Sequence, residues 1–98
     1  MTYIHFVYAL QWYERKRRSN LRDHGFDFRD AKRVFEGPTY TFEDDRFDYD
    51  EQRFLTLGFL GGVVVSIVHT ETPLVIRIIS LRKATRREEA ILFQSLKD

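Results

Sequence analysis

The sequence lacks cysteine altogether, and its 98 residues include only two prolines, one methionine and one tryptophan. Without cysteine there can be no disulfide bond, no thiolate metal site and no cysteine nucleophile. A long apolar run is also missing, because the longest, residues 58–68, is interrupted by glycines and by Ser66. Such a run is too short to span a membrane, and no secretory signal is expected before the fold. We therefore expect a cytoplasmic protein without membrane contact.

What the sequence does contain is sufficient for one apolar core. Apolar residues make up 43% of the chain and aromatic residues 15%, which is typical of a globular protein. A chain of this length predicts a single domain over residues 1–98. The net charge is only +1, but basic residues cluster at 15–18 and 77–87 and acidic residues at 43–51. A basic patch of this kind can attract nucleic acid, although it is more often a solvated helix face.

Two helices are predicted in the first half of the chain. The first, over residues 13–23, is strongly charged and stops at Gly25, a residue that readily adopts the left-handed conformation found at helix ends. The second, over residues 28–36, is capped by Asp27 and terminated by a Gly-Pro pair. The two helices are expected to form a short hairpin.

Strands and a last helix are predicted in the remainder. Gly61-Gly62 predicts a tight hairpin, since glycine permits the positive φ that such a turn requires. Thr85 and Glu88 predict a capping box at the start of the last helix. Residues 1–7 alternate loosely and indicate an edge strand or an extended arm. The predicted strands cover residues 39–43, 53–60, 63–70 and 74–81.

The strand over residues 74–81 delivers positive charge to one place. Arg77 lies between Ile76 and Ile78, so its guanidinium must reach a solvated face or find a partner. Several separated cations suit a polyanion, and the guanidinium fork suits phosphate oxygens, so a phosphate backbone is the predicted ligand. Further cations follow where the strand gives way to the helix, at Arg82, Lys83, Arg86 and Arg87.

The acidic residues 43–51 raise the alternative of a metal site. They lack the spacing of a calcium-binding loop. A solvated loop is therefore the favoured interpretation, and neither a metal nor a cofactor is predicted.

The order of the elements predicts an α+β domain. We expect two N-terminal helices, an antiparallel sheet of three to four strands and a C-terminal helix, with the helices on one side of the sheet. A three-residue loop at 71–73 would place Ile67 opposite Arg77. His69 and Arg77 would then project from the same face as diagonal neighbours, where they could share one phosphate.

Several segments occur in the order and at the spacing of one known family. They are Asn20 to Phe28, Ala31 to Phe35 with Gly37-Pro38, Asp44 to Arg46, Asp48-Tyr49, Glu51 to Phe54, His69 to Glu71 and Arg77 to Ala84. Over roughly Trp12 to Glu89, the chain resembles the BrnT family of bacterial type II toxins, ribonucleases with a RelE-like fold that are neutralised by a BrnA antitoxin. It departs from the family at Tyr13, where Asp is usual, at Leu81, where a small residue is usual, and at residues 91–93, where a tyrosine is often found.

The resemblance implies a toxin that cleaves RNA by metal-independent general acid/base chemistry and inhibits growth or translation. Arg77 and Arg82 are then expected to bind the scissile phosphate and stabilise the charge that develops on it. His69 is the first candidate for proton transfer and His24 the second, while Glu71 is expected to orient His69 or act as a base. The expected RNA-binding residues are Arg53, Lys83, Arg86 and Arg87.

Each of these residues also has a structural interpretation. A His at a strand end is often a satisfied core residue, Glu71 suits a turn, and Arg53 could pair with the acidic loop. The implied partners are RNA, a BrnA-like antitoxin and, only through the antitoxin complex, operator DNA. The alternative function is a non-catalytic RNA-binding or interaction module that acts mainly in an operator-binding antitoxin complex.

Overall fold

A computed structural model describes residues 9–46, 48 and 50–98. None of the helices in this part of the chain is long and apolar enough to cross a membrane. The strand or arm predicted at residues 1–7 lies outside the described residues. In chain order the elements are β1 (Ala9–Gln11), α1 (Glu14–His24), a 3₁₀ turn (Phe28–Asp30), α2 (Ala31–Phe35), β2 (Tyr40–Glu43), β3 (Phe54–Leu60), β4 (Val63–Glu71), β5 (Val75–Lys83) and α3 (Arg86–Lys97).

Within the described residues, the sheet has five strands in the order β1-β5-β4-β3-β2. Strands β2 to β5 pair antiparallel, whereas β1 pairs parallel with β5, with Ala9 opposite Val75 and Gln11 opposite Arg77. The predicted antiparallel sheet of three to four strands is therefore wrong, because the fold is α+β with a mixed sheet. Strand β1 has only three residues, too few to show a periodicity, and its pairing depends on a partner more than 60 residues away.

The second predicted helix is also wrong in its extent. Asp27 caps this segment as expected, since its Oδ1 accepts a hydrogen bond of 2.9 Å from the Arg29 N–H. The Asp30 N–H, however, donates to the Asp27 carbonyl at 3.0 Å, which is the tighter 3₁₀ spacing. Within the predicted helix over residues 28–36, only the five residues of α2 are α-helical. The chain thus has one long N-terminal helix and a short second one instead of two full helices.

Helices cover both faces of the sheet, and the expectation that they lie on one side is wrong. The first half of the chain packs Phe28, Ala31 and Val34 onto one face, whereas Leu92 of α3 packs onto the other. Because successive strand residues point to opposite faces, a strand whose consecutive residues are all buried must be covered on both sides. Strand β4 has this character, since all of its residues from Val64 to His69 are buried.

The side chain of Asn20 holds α1 to β5. Asn20 of α1 binds the backbone of Leu81 twice: its Nδ2 donates to the carbonyl at 2.7 Å and its Oδ1 accepts from the N–H at 3.1 Å. The register of β1 ends at Arg77, so the Asn20 amide takes the place of a strand beyond that point. At the other end, the predicted capping box of Thr85 and Glu88 is confirmed.

Candidate active site

Arg77 projects from β5 and meets groups from two distant segments. It pairs with Thr70 of β4 on one side and Gln11 of β1 on the other. Its Nη2 donates to Oε1 of Glu51, a residue of the acidic segment before β3. Its Cζ also lies 5.6 Å from the ring centroid of Tyr13. The Arg77 side chain remains 28% exposed, so solutes can reach the guanidinium.

A second guanidinium approaches the same carboxylate oxygen. Arg53 Nη2 lies 4.0 Å from Glu51 Oε1, and the Arg53 side chain is 29% exposed. A depression of about 240 Å³ lies beside this pair, and we call it the Arg77 cleft. It is lined by Tyr13, Lys16, Arg53, Arg77, Ile78 and Ile79.

His69 lies away from this cleft, in the core beneath α2. Its side chain is fully buried, with Phe35 edge-on at 5.4 Å and Phe54 stacked at 6.0 Å between ring centroids. Its Nε2 is 2.7 Å from Thr56 Oγ1. Burial lowers the pKa of His69 to about 4, because the interior disfavours the charged imidazolium.

The predicted shared site of His69 and Arg77 is wrong. Thr70 pairs with Arg77 and His69 with Ile78, so His69 and Arg77 point to opposite faces of the sheet. Beyond the Glu71–Ile76 pair, the Thr72 N–H donates to the Val75 carbonyl at 2.8 Å, which leaves a two-residue turn at 73–74 where a three-residue loop was predicted. Arg77 therefore lies opposite Thr70 and not opposite Ile67, and a register change by an odd number of residues turns every side chain to the other face of the sheet.

Glu71 accompanies His69 instead of the cleft. Its Oε1 is 3.7 Å from His69 Nδ1, and burial raises the pKa of its carboxyl. A raised pKa for Glu71 and a lowered pKa for His69 both favour the uncharged forms, so the two groups do not form a strong ion pair. His24, the second candidate for proton transfer, is exposed at the end of α1.

Arg82 is engaged by the start of α3. Its Nη1 and Nη2 donate to the two carboxylate oxygens of Glu88 at 2.9 and 3.0 Å. Burial alone would raise the pKa of Glu88, but the hydrogen bonds from Arg82 and from the Thr85 N–H outweigh it, so the pKa lies below its ordinary value. Three other predicted RNA-binding residues, Lys83, Arg86 and Arg87, are exposed near this junction.

Sequence reasoning missed two residues that line the cleft, Tyr13 and Lys16, and it missed Glu51, the ion-pair partner of Arg77. The sequence carried a signal for Glu51, because the Glu-x-Arg pattern of Glu51 and Arg53 directly precedes a strand and so delivers a carboxylate and a guanidinium to one sheet end. Tyr13 was noted only as a departure from the family, and nothing in the sequence indicated a role for Lys16. Among the described residues, no three His, Asp or Glu side chains converge as metal ligands would.

Comparison with known proteins identifies the family of the chain. No curated protein matches the sequence. A family model described as "Ribonuclease toxin, BrnT, of type II toxin-antitoxin system" matches residues 12–88, which include the whole of the Arg77 cleft. Because the match covers most of the chain, the protein belongs to the BrnT family of type II ribonuclease toxins.

Proposed function

We propose that the chain is an endoribonuclease that cleaves RNA in the Arg77 cleft. The observation that carries the proposal is the position of Glu51 Oε1, which lies next to the guanidinium groups of Arg77 and Arg53, two residues that line the cleft. A carboxylate can accept a proton, and two guanidinium groups can bind the oxygens of one phosphate. Family membership supports RNA as the substrate.

In the proposed reaction, Glu51 takes the proton from a ribose 2′-hydroxyl. The 2′-oxygen forms a bond to phosphorus, and the bond from phosphorus to the 5′-oxygen breaks. Arg77 and Arg53 stabilise the negative charge on the pentavalent phosphate. The leaving 5′-oxygen takes a proton from Lys16 or from water. The products are a 2′,3′-cyclic phosphate and a 5′-hydroxyl, and the reaction requires no metal.

The other predicted site residues take different roles in this proposal. Arg82 positions the start of α3 through Glu88, and Lys83, Arg86 and Arg87 bind RNA phosphates outside the cleft. Proton transfer by His69 stays a prediction, but its burial and its low pKa favour Glu51 as the base. Each assignment can be separated from the others by substitution.

The test is cleavage of bare RNA by the purified chain, with and without a chelator. Glu51→Gln keeps the size and hydrogen bonding of the side chain but removes the base, so the rate should fall by about a hundredfold or more. Asp50→Asn is the matched control, because it removes a neighbouring negative charge that forms an ion pair with neither Arg53 nor Arg77. An undiminished rate in Glu51→Gln, or loss of cleavage in chelator that metal restores, would contradict the proposal. RNA binding without cleavage would favour the non-catalytic module.

The family implies an antitoxin partner. We propose that it is a BrnA-like protein that orders a segment over the Arg77 cleft, that the pair acts in the cytoplasm, and that operator DNA is bound only through the antitoxin. Expression of the chain alone should arrest growth, whereas Glu51→Gln should be tolerated. A stable complex with the antitoxin that still cleaves RNA would contradict occlusion of the cleft.

A further inference from the structure

Tyr13 is an aromatic side chain that the fold leaves outside the core. It occupies the N-cap position of α1 in an extended conformation, but its side chain caps nothing. The residue is 64% exposed. A serine or an aspartate at this position would stabilise the helix, so helix formation does not explain the tyrosine.

The backbone at the start of α1 separates two neighbouring aromatic residues. Trp12 packs edge-on against Phe28, with ring centroids 6.4 Å apart, and joins the core. Tyr13 is turned the other way, into the lining of the Arg77 cleft. Arg77 approaches its ring to 5.6 Å, and much of the ring remains in contact with solvent.

We propose that Tyr13 is the stacking platform for a nucleobase next to the scissile phosphate. The inference rests on the proposed function, because it takes RNA as the ligand of the cleft. An exposed aromatic ring beside several cations is the combination that single-stranded nucleic acid uses: bases stack on the ring while the backbone follows the charges. Arg77 contacts both Glu51 and the Tyr13 ring, so one nucleotide can place its phosphate on Arg77 and its base on Tyr13.

A stacking site predicts a particular base specificity. Every base has a π-face, so the subsite should accept all four bases, with a modest preference for those that stack more strongly. Tyr13 is a binding residue here and takes no part in proton transfer. The contribution of Tyr13 should therefore appear as a dependence of the cleavage rate on the presence of the base.

The rival interpretation is that Tyr13 only holds Arg77 in place by a cation–π contact. The two can be separated with a short oligodeoxynucleotide that contains a single ribonucleotide, so that cleavage occurs at one known bond. An abasic analogue is introduced in turn at each of the two nucleotides that flank this bond. Single-turnover cleavage is then measured for the original chain and for Tyr13→Ala, Tyr13→Phe and Tyr40→Ala.

If the proposal is right, removing one of the two bases should slow the original chain by about tenfold to a hundredfold. Tyr13→Ala should be slow on the intact substrate but insensitive to loss of that base, whereas Tyr13→Phe should keep the dependence. Tyr40, also exposed but on the opposite edge strand β2, should give no change. Equal losses in Tyr13→Ala on intact and abasic substrates, or no loss on either, would overturn the proposal.

A binding readout keeps this test independent of cleavage. An all-deoxy oligonucleotide with 2-aminopurine at the sensitive position should lose fluorescence on binding to the original chain but not to Tyr13→Ala. If the chain cleaves no RNA yet quenches the probe through Tyr13, the proposed function fails and the stacking site stands. If it cleaves RNA and quenching is unchanged in Tyr13→Ala, the stacking site fails alone.

Discussion

The Glu51 carboxylate and the Arg77 guanidinium form an ion pair that joins the acidic segment before β3 to strand β5. They are 26 residues apart in sequence, and both remain partly exposed. Exposed pairs of this kind contribute about 0–1 kcal/mol to stability. The pair is therefore a weak explanation for the fold and a better explanation for a site where a phosphate competes for the arginine.

Substitution of Arg77 should separate catalysis from stability. Arg77→Ala should lower the cleavage rate by about a hundredfold to a thousandfold, as the loss of one donor to a developing charge does elsewhere. Arg77→Lys keeps the charge but not the planar fork, and should recover only part of the rate. Single-turnover rates with urea unfolding of the same samples provide the measurement. A full rate in Arg77→Lys would show that the fork is not needed.

The Arg82–Glu88 contact should behave differently, because it closes the junction between β5 and α3. Arg82→Ala removes two hydrogen bonds from a mostly buried carboxylate and should lower the free energy of unfolding by about 1–3 kcal/mol. Because the pKa of Glu88 is lowered in the folded state, the carboxylate contributes stability above its unfolded pKa and loses it as the pH falls. Urea midpoints at pH 7 and pH 3 should therefore differ less in Glu88→Gln than in the original chain.

A double-mutant cycle decides whether Arg82 also touches RNA. If Arg82 acts only through Glu88, then Arg82→Ala and Glu88→Gln should affect cleavage per folded molecule alike, and their combination should add little. If Arg82 binds the scissile phosphate, Glu88→Gln should preserve cleavage while Arg82→Ala abolishes it. The second result would restore the role predicted from the sequence.

The sequence was informative where the signal is local. The long strands and their hairpin at Gly61-Gly62 were predicted because an apolar run on each side of two glycines permits few alternatives, and both glycines have positive φ, 58° and 82°. The capping box at Thr85 is equally local. These elements fix the position of Arg77 along β5, but not the face from which it projects.

What the sequence could not reveal depends on register and distant contacts. The turn between β4 and β5 has two residues where three were predicted, and the resulting register placed Arg77 and His69 on opposite faces. The partner of Arg77 is instead Glu51, delivered by a segment that the sequence indicated only as a solvated loop. Strand β1 is held by its pairing with β5, and its three residues are too few to predict a strand from the sequence pattern. A candidate site that is assembled from such contacts can be recognised only when the three-dimensional structure is known.

His69 should make stability depend on pH in a specific direction. Its pKa falls from 6.5 to about 4 on folding, so the folded state excludes a proton that the unfolded state binds. Stability should be independent of this group above pH 6.5, should fall between pH 6.5 and 4 by up to about 3 kcal/mol, and should then level off. His69→Gln should flatten this part of the urea-derived profile. An unchanged slope would show that the pKa of His69 is the same in the folded and the unfolded chain.

Arg86 and Arg87 lie at the start of α3, where a positive charge destabilises a helix. They are the first two residues of α3, next to the positive end of the helix dipole, where a positive charge is unfavourable by about 0.3–1 kcal/mol. Replacing each by alanine should therefore raise the free energy of unfolding slightly. If both bind RNA phosphates, the same substitutions should weaken binding and reduce the slope of log affinity against log salt by about 0.7 for each contact.

Arg33→Ala is the matched control for this last pair. Arg33 is an exposed arginine of α2, and α2 and α3 cover opposite faces of the sheet, so its removal should change neither the RNA affinity nor the salt slope. Titration of a fluorescent single-stranded RNA at several salt concentrations, with Glu51→Gln as the background to prevent cleavage, provides both quantities. If Arg86 and Arg87 have a structural role, their substitution should lower the free energy of unfolding and leave the salt slope unchanged. The RNA-binding role requires a higher free energy of unfolding and a reduced salt slope in the substituted chains, because the two cations then destabilise the helix and bind the RNA.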